Sequence, residues 1–510
     1  MKKLLLILSS VLIATSVFAQ IGTFDPTFNN GGSLQTVNYA SSAKIIPLTN
    51  ETALHINNVG MPGTPGDPLG EENAYVNKLT NDLSTIASTQ SFVHPGFGYT
   101  IEGIRDFIID ANGKTVVAGS KQYDAMSYSS IYIGRYNADG TYDNTFNSGS
   151  FYEVDFSTSS MHTEVSKIIE LSSGKLMCIG KRANNTNLLI RLNANGTIDN
   201  TYGTNGIYSW NFMGGSYSKI HDAIELSNGK MLVAGSEYDP MNFNIQTAFV
   251  ARLNADGTID NTFGESGVAR VTLGQNDKAS YITSMALTSN GSIIVGGIGF
   301  WTGSQPWDVG RGGFVRLNSE GVYDATFGTH SIPSDYSGIN KVRVTANDEI
   351  IAGGHISLSS IQYSLFVFLT SAGAFNTTID TDGMITESNF PNAQVQDFAF
   401  QPDGKMIYVK SFYMDNFNTG LVVGRMLMAE GTNSLDESSA NQIEVYPNPT
   451  NGTTTITVAK PTSISVRTIN GTEIWTTTVE SQKVIDLSGF AAGFYFIHTE
   501  EGQTVKVIKE

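Results

Sequence analysis

A short phrase recurs along most of this chain, and it restricts the possible folds more than any other feature. Its clearest copy is Ala251-Arg252-Leu253-Asn254-Ala255-Asp256-Gly257, a largely hydrophobic segment that ends on a turn-forming Asp-Gly pair. Six related segments end at Asp82, Gly140, Gly196, Gly321, Gly373 and Gly431. Copies that follow one another at about sixty residues are typical of repeat architectures, in which each unit packs on its neighbours.

A second turn signal lies between two hydrophobic runs of each repeat, as in Asn228-Gly229-Lys230. The other six copies are Asn50-Glu51, Asn112-Gly113, Ser173-Gly174, Asn290-Gly291, Asn347-Asp348 and Asp403-Gly404. Tight hairpins need positive φ at the turn, which Gly and Asn adopt at low cost. Each repeat therefore has room for about four strands, and one sheet of that size cannot cover both of its faces. We predict an all-β fold in which seven sheets stack radially as a seven-bladed β-propeller.

The N-terminal end of the repeat region carries a fragment of a repeat. Residues 22–28, Gly-Thr-Phe-Asp-Pro-Thr-Phe, copy the phrase that elsewhere follows the second turn, as in residues 257–263. The last repeat lacks this phrase after Gly431. We therefore predict that residues 22–40 complete the last blade and close the ring.

Two segments carry a resemblance to a known family. The phrase at residues 251–264 and the run Gly229-Lys230-Met231-Leu232-Val233-Ala234-Gly235 resemble the hallmark of the bacterial delta-60 repeat. The resemblance extends over residues 22–431 and implies a propeller-like fold for residues 20–431. That family carries no known reaction, so the resemblance implies no activity.

The chain changes character after Gly431. Residues 432–441 are polar and typical of a linker, and residues 442–510 contain seven short predicted strands. This pattern predicts a small immunoglobulin-like β-sandwich. Parts of this module resemble the type A C-terminal sorting domain of the Bacteroidetes type IX secretion system. The matching residues are Val445-Tyr446-Pro447-Asn448-Pro449, Gly452 and Ala492-Gly493-Phe494-Tyr495-Phe496-Ile497. The resemblance implies that this machinery is a partner and exports the chain, which is then attached at the cell surface or released.

Residues 1–19 have the layout of a secretory signal peptide: Lys2 and Lys3, a hydrophobic stretch, and a small-residue site that predicts cleavage between Ala19 and Gln20. No other segment is long enough to span a bilayer. The formal net charge of −17 disfavours binding to nucleic acids. The one cysteine, Cys178, cannot form an internal disulfide and is predicted to be a buried small hydrophobe. We expect a secreted protein, extracellular or on the outer-membrane surface.

Arg and Asp recur at a fixed offset in four repeats, and an aromatic residue follows each Asp by three positions. The pairs are Arg135 and Asp143, Arg191 and Asp199, Arg252 and Asp260, and Arg316 and Asp324. They could form a ring of identical sites, or they could fix each connection between blades. Repetition favours the structural interpretation, because catalysis needs one site. The next repeat has Phe368 and Asn376 instead.

The same segments offer side-chain oxygens at alternating positions, as calcium loops do. Residues 137–143, Asn-Ala-Asp-Gly-Thr-Tyr-Asp, are one example. No Glu follows at the twelfth position to act as a bidentate ligand, and Asn and Asp before Gly are ordinary turn residues. The turn interpretation is favoured over calcium, and we expect no cofactor and no metal.

Variable loops are predicted at the opposite end of each blade from the two repeated turns, and loops on a rigid scaffold often carry function. One loop combines Trp301 and Trp307 with Asp308 and Arg311, and another holds Tyr413 and Asp415. Exposed aromatic rings beside polar groups suit stacking on a sugar or anchoring a protein. The alternative is that the tryptophans pack the loop against its own blade. We predict these six residues as a ligand-binding set.

The sequence contains no catalytic signature. We predict a non-catalytic binding or adhesion module for an extracellular glycan or protein. Two alternatives remain: a carbohydrate-active enzyme with carboxylates near the propeller channel, and a structural component of a surface layer. Two carboxylates at about 5–10 Å in a funnel would favour the enzyme.

Overall fold

A computed structural model supplies the coordinates of the chain. It describes residues 24–25, 28, 33–36, 44–47, 53–60, 72–79, 86–91, 104–122, 129–154, 163–182, 186–210, 218–238, 246–274, 280–300, 310–387, 389–401, 404–413, 419–428, 443–446, 448, 450–458, 461–468, 473–491, 493–499 and 504–509. In blade 1 and at 33–36 the description is mostly confined to the backbone of the strands.

Seven four-stranded antiparallel sheets account for the repeat region in these residues. We number them as blades 1–7 in chain order and give the strands of each from the first to the fourth position. Blade 1 contains β2 (Ile45–Pro47), β3 (Ala53–Gly60), β4 (Glu72–Leu79) and β5 (Ile86–Ser91); blade 2 contains β6 (Ile104–Ile109), β7 (Thr115–Gln122), β8 (Ser129–Tyr136) and β9 (Tyr152–Val154); blade 3 contains β10 (Glu164–Glu170), β11 (Leu176–Lys181), β12 (Asn187–Leu192) and β13 (Ile207–Trp210); blade 4 contains β14 (Ser218–Glu225), β15 (Met231–Tyr238), β16 (Gln246–Leu253) and β17 (Val268–Val271); blade 5 contains β18 (Ser280–Leu287), β19 (Ile293–Phe300), β20 (Gly310–Leu317) and β21 (Thr329–Ser331); blade 6 contains β22 (Ser337–Val344), β23 (Ile350–Leu358), β24 (Ile361–Leu369) and β25 (Met384–Glu387); blade 7 contains β26 (Ala393–Phe400), β27 (Met406–Tyr413), β28 (Thr419–Met426) and β1 (Ser33–Thr36). A 3-10 turn lies at Phe146–Gly149.

The middle strands are hydrophobic on both faces because a neighbouring blade covers each face. In β11 the first five residues, Leu-Met-Cys-Ile-Gly, are all buried. Strands covered on both sides have nearly continuous hydrophobic sequences and do not alternate. Cys178 is fully buried in this strand, as predicted.

Successive blades share hydrophobic cores. Val116 of blade 2 packs in one cluster with Ile168 and Cys178 of blade 3, and similar clusters join the later pairs of blades. Ile45 of blade 1 lies in a cluster with Ile407 of blade 7. The blades therefore form a ring, and the predicted all-β propeller class is confirmed.

The N-terminal segment completes blade 7, as the sequence predicted. Strand β1 pairs with β28 so that Ser33 lies opposite Gly424, and Phe24 forms an isolated bridge with Met426. The backbone N–H of Asp25 donates to the carbonyl oxygen of Arg425 at 2.9 Å. The outermost strand of the last blade thus comes from the start of the chain.

Buried aspartates on the first strands join neighbouring blades. Asp106 accepts a hydrogen bond from Ile168 N (2.8 Å) and Asp222 accepts one from Met285 N (2.8 Å). Asp397 of blade 7 accepts one from Ile45 N of blade 1 at 3.1 Å. Each carboxylate satisfies a buried N–H group that would otherwise cost free energy. The same type of hydrogen bond therefore joins blade 7 to blade 1, where the ring closes, and joins neighbouring blades elsewhere in the ring.

The C-terminal strands form two further sheets. One sheet contains β29 (Ile443–Tyr446), β30 (Thr453–Val458) and β33 (Gln482–Asp486); the other contains β31 (Thr462–Thr468), β32 (Glu473–Val479), β34 (Gly493–Thr499) and β35 (Thr504–Lys509). Ile456 and Ile485 of the first sheet share a core with Val466 and Ile497 of the second, which makes the module a β-sandwich. Its immunoglobulin-like topology stays a prediction. Across the described part of the chain, no helix has the length and hydrophobicity needed to cross a membrane.

Candidate functional site

The two ends of each blade carry different connections. In an antiparallel four-stranded sheet, the links between strands one and two and between strands three and four leave from one end. We call this end of the ring the turn face. The links between strands two and three, and from strand four to the next blade, leave from the other end, which we call the loop face.

The predicted Arg and Asp pairs all lie on the turn face and are in direct contact. Arg Nε donates to Asp Oδ2 at 2.7 Å in Arg135–Asp143, 2.6 Å in Arg191–Asp199, 2.6 Å in Arg252–Asp260 and 2.8 Å in Arg316–Asp324. In three of these pairs a lysine also contacts the carboxylate, with its Nζ atom 2.8 Å from Asp Oδ2. Sequence reasoning missed these lysines, which are Lys114, Lys175 and Lys230. Each of these three lysines follows its hairpin turn directly, which is a signal that the sequence did contain.

Each arginine also reaches into the next blade. Arg191 Nη1 donates to Ala255 O at 2.6 Å, and the guanidinium lies 4.4 Å from the centre of the Tyr202 ring. That ring in turn covers Gly257, where a Cβ atom would lie 2.7 Å from Tyr202 Cζ. Gly257 has φ +93°, so its conformation and its lack of a side chain are both required. Arg, aromatic ring and Gly interlock neighbouring blades.

Hydrogen bonds keep these aspartates ionised. Burial alone would raise the pKa of Asp260, but hydrogen bonds from Lys230, Thr262 and Arg252 hold it well below its usual range. The hydrogen bond from the Thr326 hydroxyl has the largest effect on Asp324, and a further hydrogen bond comes from Arg316. Together they lower the pKa of Asp324 to about 2. The pairs are therefore charged at neutral pH.

Blades 6 and 7 depart from the pattern in opposite ways. In blade 6 the pair is replaced by Phe368 and Asn376, yet Asn376 N still donates to Phe368 O at 2.8 Å. Blade 7 keeps the arginine, and Arg425 Nε donates to Asp25 at 2.8 Å. Phe28 lies under the Arg425 guanidinium at 5.3 Å. The N-terminal segment therefore supplies the Asp and the aromatic ring that the last repeat lacks.

The loop face holds a cavity of about 710 Å³ between blades 5 and 6. Arg311 lines it and binds Asp335 through Nε (2.7 Å) and Nη2 (2.6 Å). The remaining lining residues come from the link into blade 6 and from the β23–β24 hairpin: Pro333, Ser334, Tyr336, Ser357, Ser359 and Ser360. The cavity thus offers an Arg–Asp ion pair, several hydroxyl groups and one aromatic ring.

A row of backbone contacts runs from this cavity across blade 6 to blade 7. Ser357 N donates to Tyr336 O at 3.1 Å, and Ser357 lies opposite Gln362 in the β23–β24 pair. Asn392 N donates to Gln362 O at 2.7 Å, and Tyr413 N donates to Asn392 O at 3.2 Å. The tyrosines at the two ends are 59% and 58% exposed. We call this feature, which joins the two exposed tyrosines through hydrogen bonds and strand pairing, the tyrosine row.

Four residues in or beside this row have left-handed backbone. Tyr336 has φ +56°, Asn392, at the equivalent position of blade 7, has +58°, and the hairpin turn Ser359-Ser360 has +51° and +68°. Asn adopts this region readily, whereas a tyrosine there costs about 1–2 kcal/mol. Strain retained at an exposed position is a feature of binding sites.

The structure describes two of the six predicted ligand-binding residues, Arg311 and Tyr413. Both lie on the loop face as expected, Arg311 in the cavity and Tyr413 at the end of the tyrosine row. Trp301, Trp307, Asp308 and Asp415 lie outside the described residues, as do Ala19 and Gln20 at the predicted cleavage site.

Sequence reasoning missed the other half of the cavity. Asp335 and Tyr336 belong to a link between blades that carries no motif, and Ser359-Ser360 lacks the Asn-Gly signature of its turn type. Asp335 is the single carboxylate among the described lining residues, and it is paired with Arg311. In the part of the chain that is described, no group of three or more His, Cys, Asp or Glu side chains could hold a metal ion.

Family models match two parts of the chain. Residues 111–146, 171–202 and 226–263 match a domain of unknown function (DUF5122) beta-propeller. Residues 444–510 match the secretion system C-terminal sorting domain. A search of curated proteins finds no match.

Several solved structures match this chain at low sequence identity and with TM-scores below 0.5. The alpha-L-arabinanase of Penicillium chrysogenum, complexed with arabinobiose, is 14% identical over 63% of this chain and 93% of its own, with a TM-score of 0.40. The polysaccharide lyase Uly1 is 13% identical over 80% of this chain and 98% of its own (TM-score 0.43). Drosophila Semaphorin 2a is 8% identical over 96% and 98% (TM-score 0.41).

The repeated sheets and the two family matches agree on what the chain consists of. The sorting domain supports export by a type IX secretion system to the cell surface or the exterior. The chain is a β-propeller protein in which residues 111–146, 171–202 and 226–263 match the DUF5122 beta-propeller model and residues 444–510 match that of a secretion system C-terminal sorting domain.

Proposed function

We propose that this protein is a non-catalytic glycan-binding module that acts outside the cell, and that an extended polysaccharide lies along the loop face from the Arg311 cavity over the tyrosine row. The observation that carries the proposal is the pair of exposed tyrosines, Tyr336 and Tyr413, at the two ends of one hydrogen-bonded row that begins at a polar cavity.

The chemistry of the cavity favours a carbohydrate ligand. Tyrosine rings stack on the hydrophobic faces of sugars, and hydroxyl, guanidinium and carboxylate groups bond to sugar hydroxyls. A cavity of about 710 Å³ is within the range that encloses a small ligand. The exposed side chains Leu358 and Ile361, on either side of the Ser359-Ser360 turn, extend the hydrophobic surface between the tyrosines.

A panel of neutral and charged polysaccharides tests the proposal, with retention and product release measured together. We expect retention of at least one polymer without release of product. Tyr336→Ala combined with Tyr413→Ala should weaken retention about ten-fold or more, because this double variant removes both rings that stack on the sugar.

Tyr323→Ala is the matched control. Tyr323 is 47% exposed but lies on the turn face of blade 5, between β20 and β21, so its replacement should leave retention unchanged. Equal effects of the loop-face and turn-face variants, or retention of no polymer, would overturn the proposal. Release of product would favour the enzyme alternative.

A further inference from the structure

A lysine and a glutamate form an ion pair that is closed off from solvent between blades 6 and 7. Lys410 lies in β27 of blade 7, and Glu387 is the last residue of β25, the outermost strand of blade 6. Lys410 Nζ lies 2.5 Å from Glu387 Oε2, and the two side chains are 0% and 4% exposed. Because the carboxyl carbon is bonded to this oxygen, it lies within about 3.8 Å of the amine nitrogen.

Uncharged side chains surround the pair. In the strand ladders, Val395 and Val422 lie opposite the lysine, and Ser364 lies opposite the glutamate. Within the described residues, the Ser364 hydroxyl has no hydrogen-bond partner and so does not stabilise the carboxylate. Phe390 covers the lysine, with its ring centre 4.4 Å from Nζ. One strand beyond Ser364, burial lowers the pKa of His355, so this imidazole is neutral at pH 7.

Burial makes the charged form of this pair costly. It lowers the pKa of Lys410, and the charge of Glu387 opposes that change. Burial also raises the pKa of Tyr408, which keeps its hydroxyl protonated; this hydroxyl donates to Glu387 Oε2 at 3.5 Å. In water, hydration of the two charges prevents an amine and a carboxylic acid from condensing. A pair excluded from water lacks that hydration, and transfer of one proton leaves a neutral amine beside a neutral acid.

We propose that Lys410 and Glu387 condense to an isopeptide bond that joins blade 6 covalently to blade 7. The amine nitrogen attacks the carboxyl carbon, so that an N–C bond forms and one C–O bond breaks. The departing oxygen leaves as water with two protons of the original ammonium group, and no oxidant or reductant takes part. The Tyr408 hydroxyl donates to the carboxyl group, where negative charge develops during the attack. Holding the two groups together replaces a bimolecular encounter and removes much of the barrier.

The bond would supply a cross-link that cysteine cannot, because the chain contains one cysteine. Strand β25 is four residues long and lies at the edge of its sheet, where it pairs with β24. An isopeptide bond at its last residue would fix this short edge strand to the next blade. This inference does not depend on the proposed function, since the bond would form whatever the ligand is.

Intact-mass measurement of the denatured full-length protein tests the inference, with Lys410→Arg as the reference because a guanidinium does not condense. The exchange of Lys for Arg adds about 28 Da, and the bond in the wild type removes one water, about 18 Da. We expect the variant to be about 46 Da heavier than the wild type when both chains are processed identically. A difference of about 28 Da would overturn the inference. The reference mass does not require the variant to fold, since both chains are unfolded for the measurement.

Glu387→Ala removes the other partner and gives an independent reference. This exchange subtracts about 58 Da, so the variant should be about 40 Da lighter than a wild type that has already lost water. A difference of about 58 Da would contradict the bond.

Lys219→Arg is the matched control for burial. Lys219 Nζ lies 3.1 Å from Glu164 Oε2, but these two side chains are 35% and 41% exposed. Because this pair stays hydrated, it should not condense, and the variant should be heavier than the wild type by about 28 Da alone. A difference of about 46 Da at this exposed pair would contradict the argument that exclusion of water drives the condensation.

Discussion

The two faces of the ring differ in how their polar groups are used. On the turn face, Arg252 and Asp260 are buried, charged and bonded to each other, and the same arrangement recurs from blade to blade. On the loop face, Tyr336 and Tyr413 are exposed and belong to links that differ in every repeat. Repeated polar residues join neighbouring blades, whereas the exposed, unrepeated ones form the binding surface that we propose.

The buried pair at the ring closure should give the largest effect on stability. Arg425→Gln removes the guanidinium that lies 2.8 Å from the buried Asp25 carboxylate and leaves Lys405, at 3.6 Å, as a more distant partner; breaking a buried pair costs up to about 3–5 kcal/mol. Arg316→Gln breaks a pair whose side chains are 20% and 24% exposed, and should cost about 1 kcal/mol. Chemical denaturation of both variants measures the difference, and equal losses of stability would show that the closing pair has no special role.

The interlock between blades should give the next largest effect. Gly257→Ala combines strained backbone with a clash against Tyr202 and should cost about 2–4 kcal/mol. Gly229→Ala has a similar φ of +76°, but its nearest neighbour, Ala255 Cβ, would be 3.8 Å away. It should therefore cost about 1–2 kcal/mol, from conformation alone. If the two variants have the same free energy of unfolding, the Tyr202 contact is not a packing constraint.

Acid should weaken the turn face selectively. The pKa of Asp324 is lowered in the folded chain, to about 2 from an ordinary value near 4, so its contribution is complete above pH 4 and is lost as the pH falls toward 2. Asp324→Asn should lower stability at pH 7 and flatten the dependence of the free energy of unfolding on pH between 4 and 2. A slope as steep as that of the wild type would contradict this assignment.

The smallest effect on stability should come from the loop face. Tyr336→Asn places in blade 6 the residue type that blade 7 has at the same left-handed position, Asn392. The free energy of unfolding should change by less than about 0.5 kcal/mol, because relief of the backbone strain offsets the weaker packing of a smaller exposed side chain. Polysaccharide retention should nevertheless fall. A variant that loses stability but keeps retention would reverse the contrast between the faces.

The sequence predicted the turn face well because its geometry depends on local residue types. A turn glycine such as Gly257 and the spacing from Arg to Asp can both be recognised within one repeat. Their recurrence in other repeats indicates that they are required by the fold. The role of residues 22–28 was also predictable, since the phrase missing after Gly431 is present there.

The loop face was predictable as a location but not as a site. The Arg311 cavity depends on Asp335 and on Ser359-Ser360, which are brought to it by pairing between strands and carry no motif. Contacts between repeats cannot be read from a single copy of the repeat.

Hydrogen–deuterium exchange with a retained polysaccharide tests the contrast between the two faces most directly. We predict that protection on binding is confined to loop-face segments, above all residues 333–337, 357–362 and 391–394. Protection centred on the turn-face segments around residues 137–143, 193–199 and 254–260 would contradict the account.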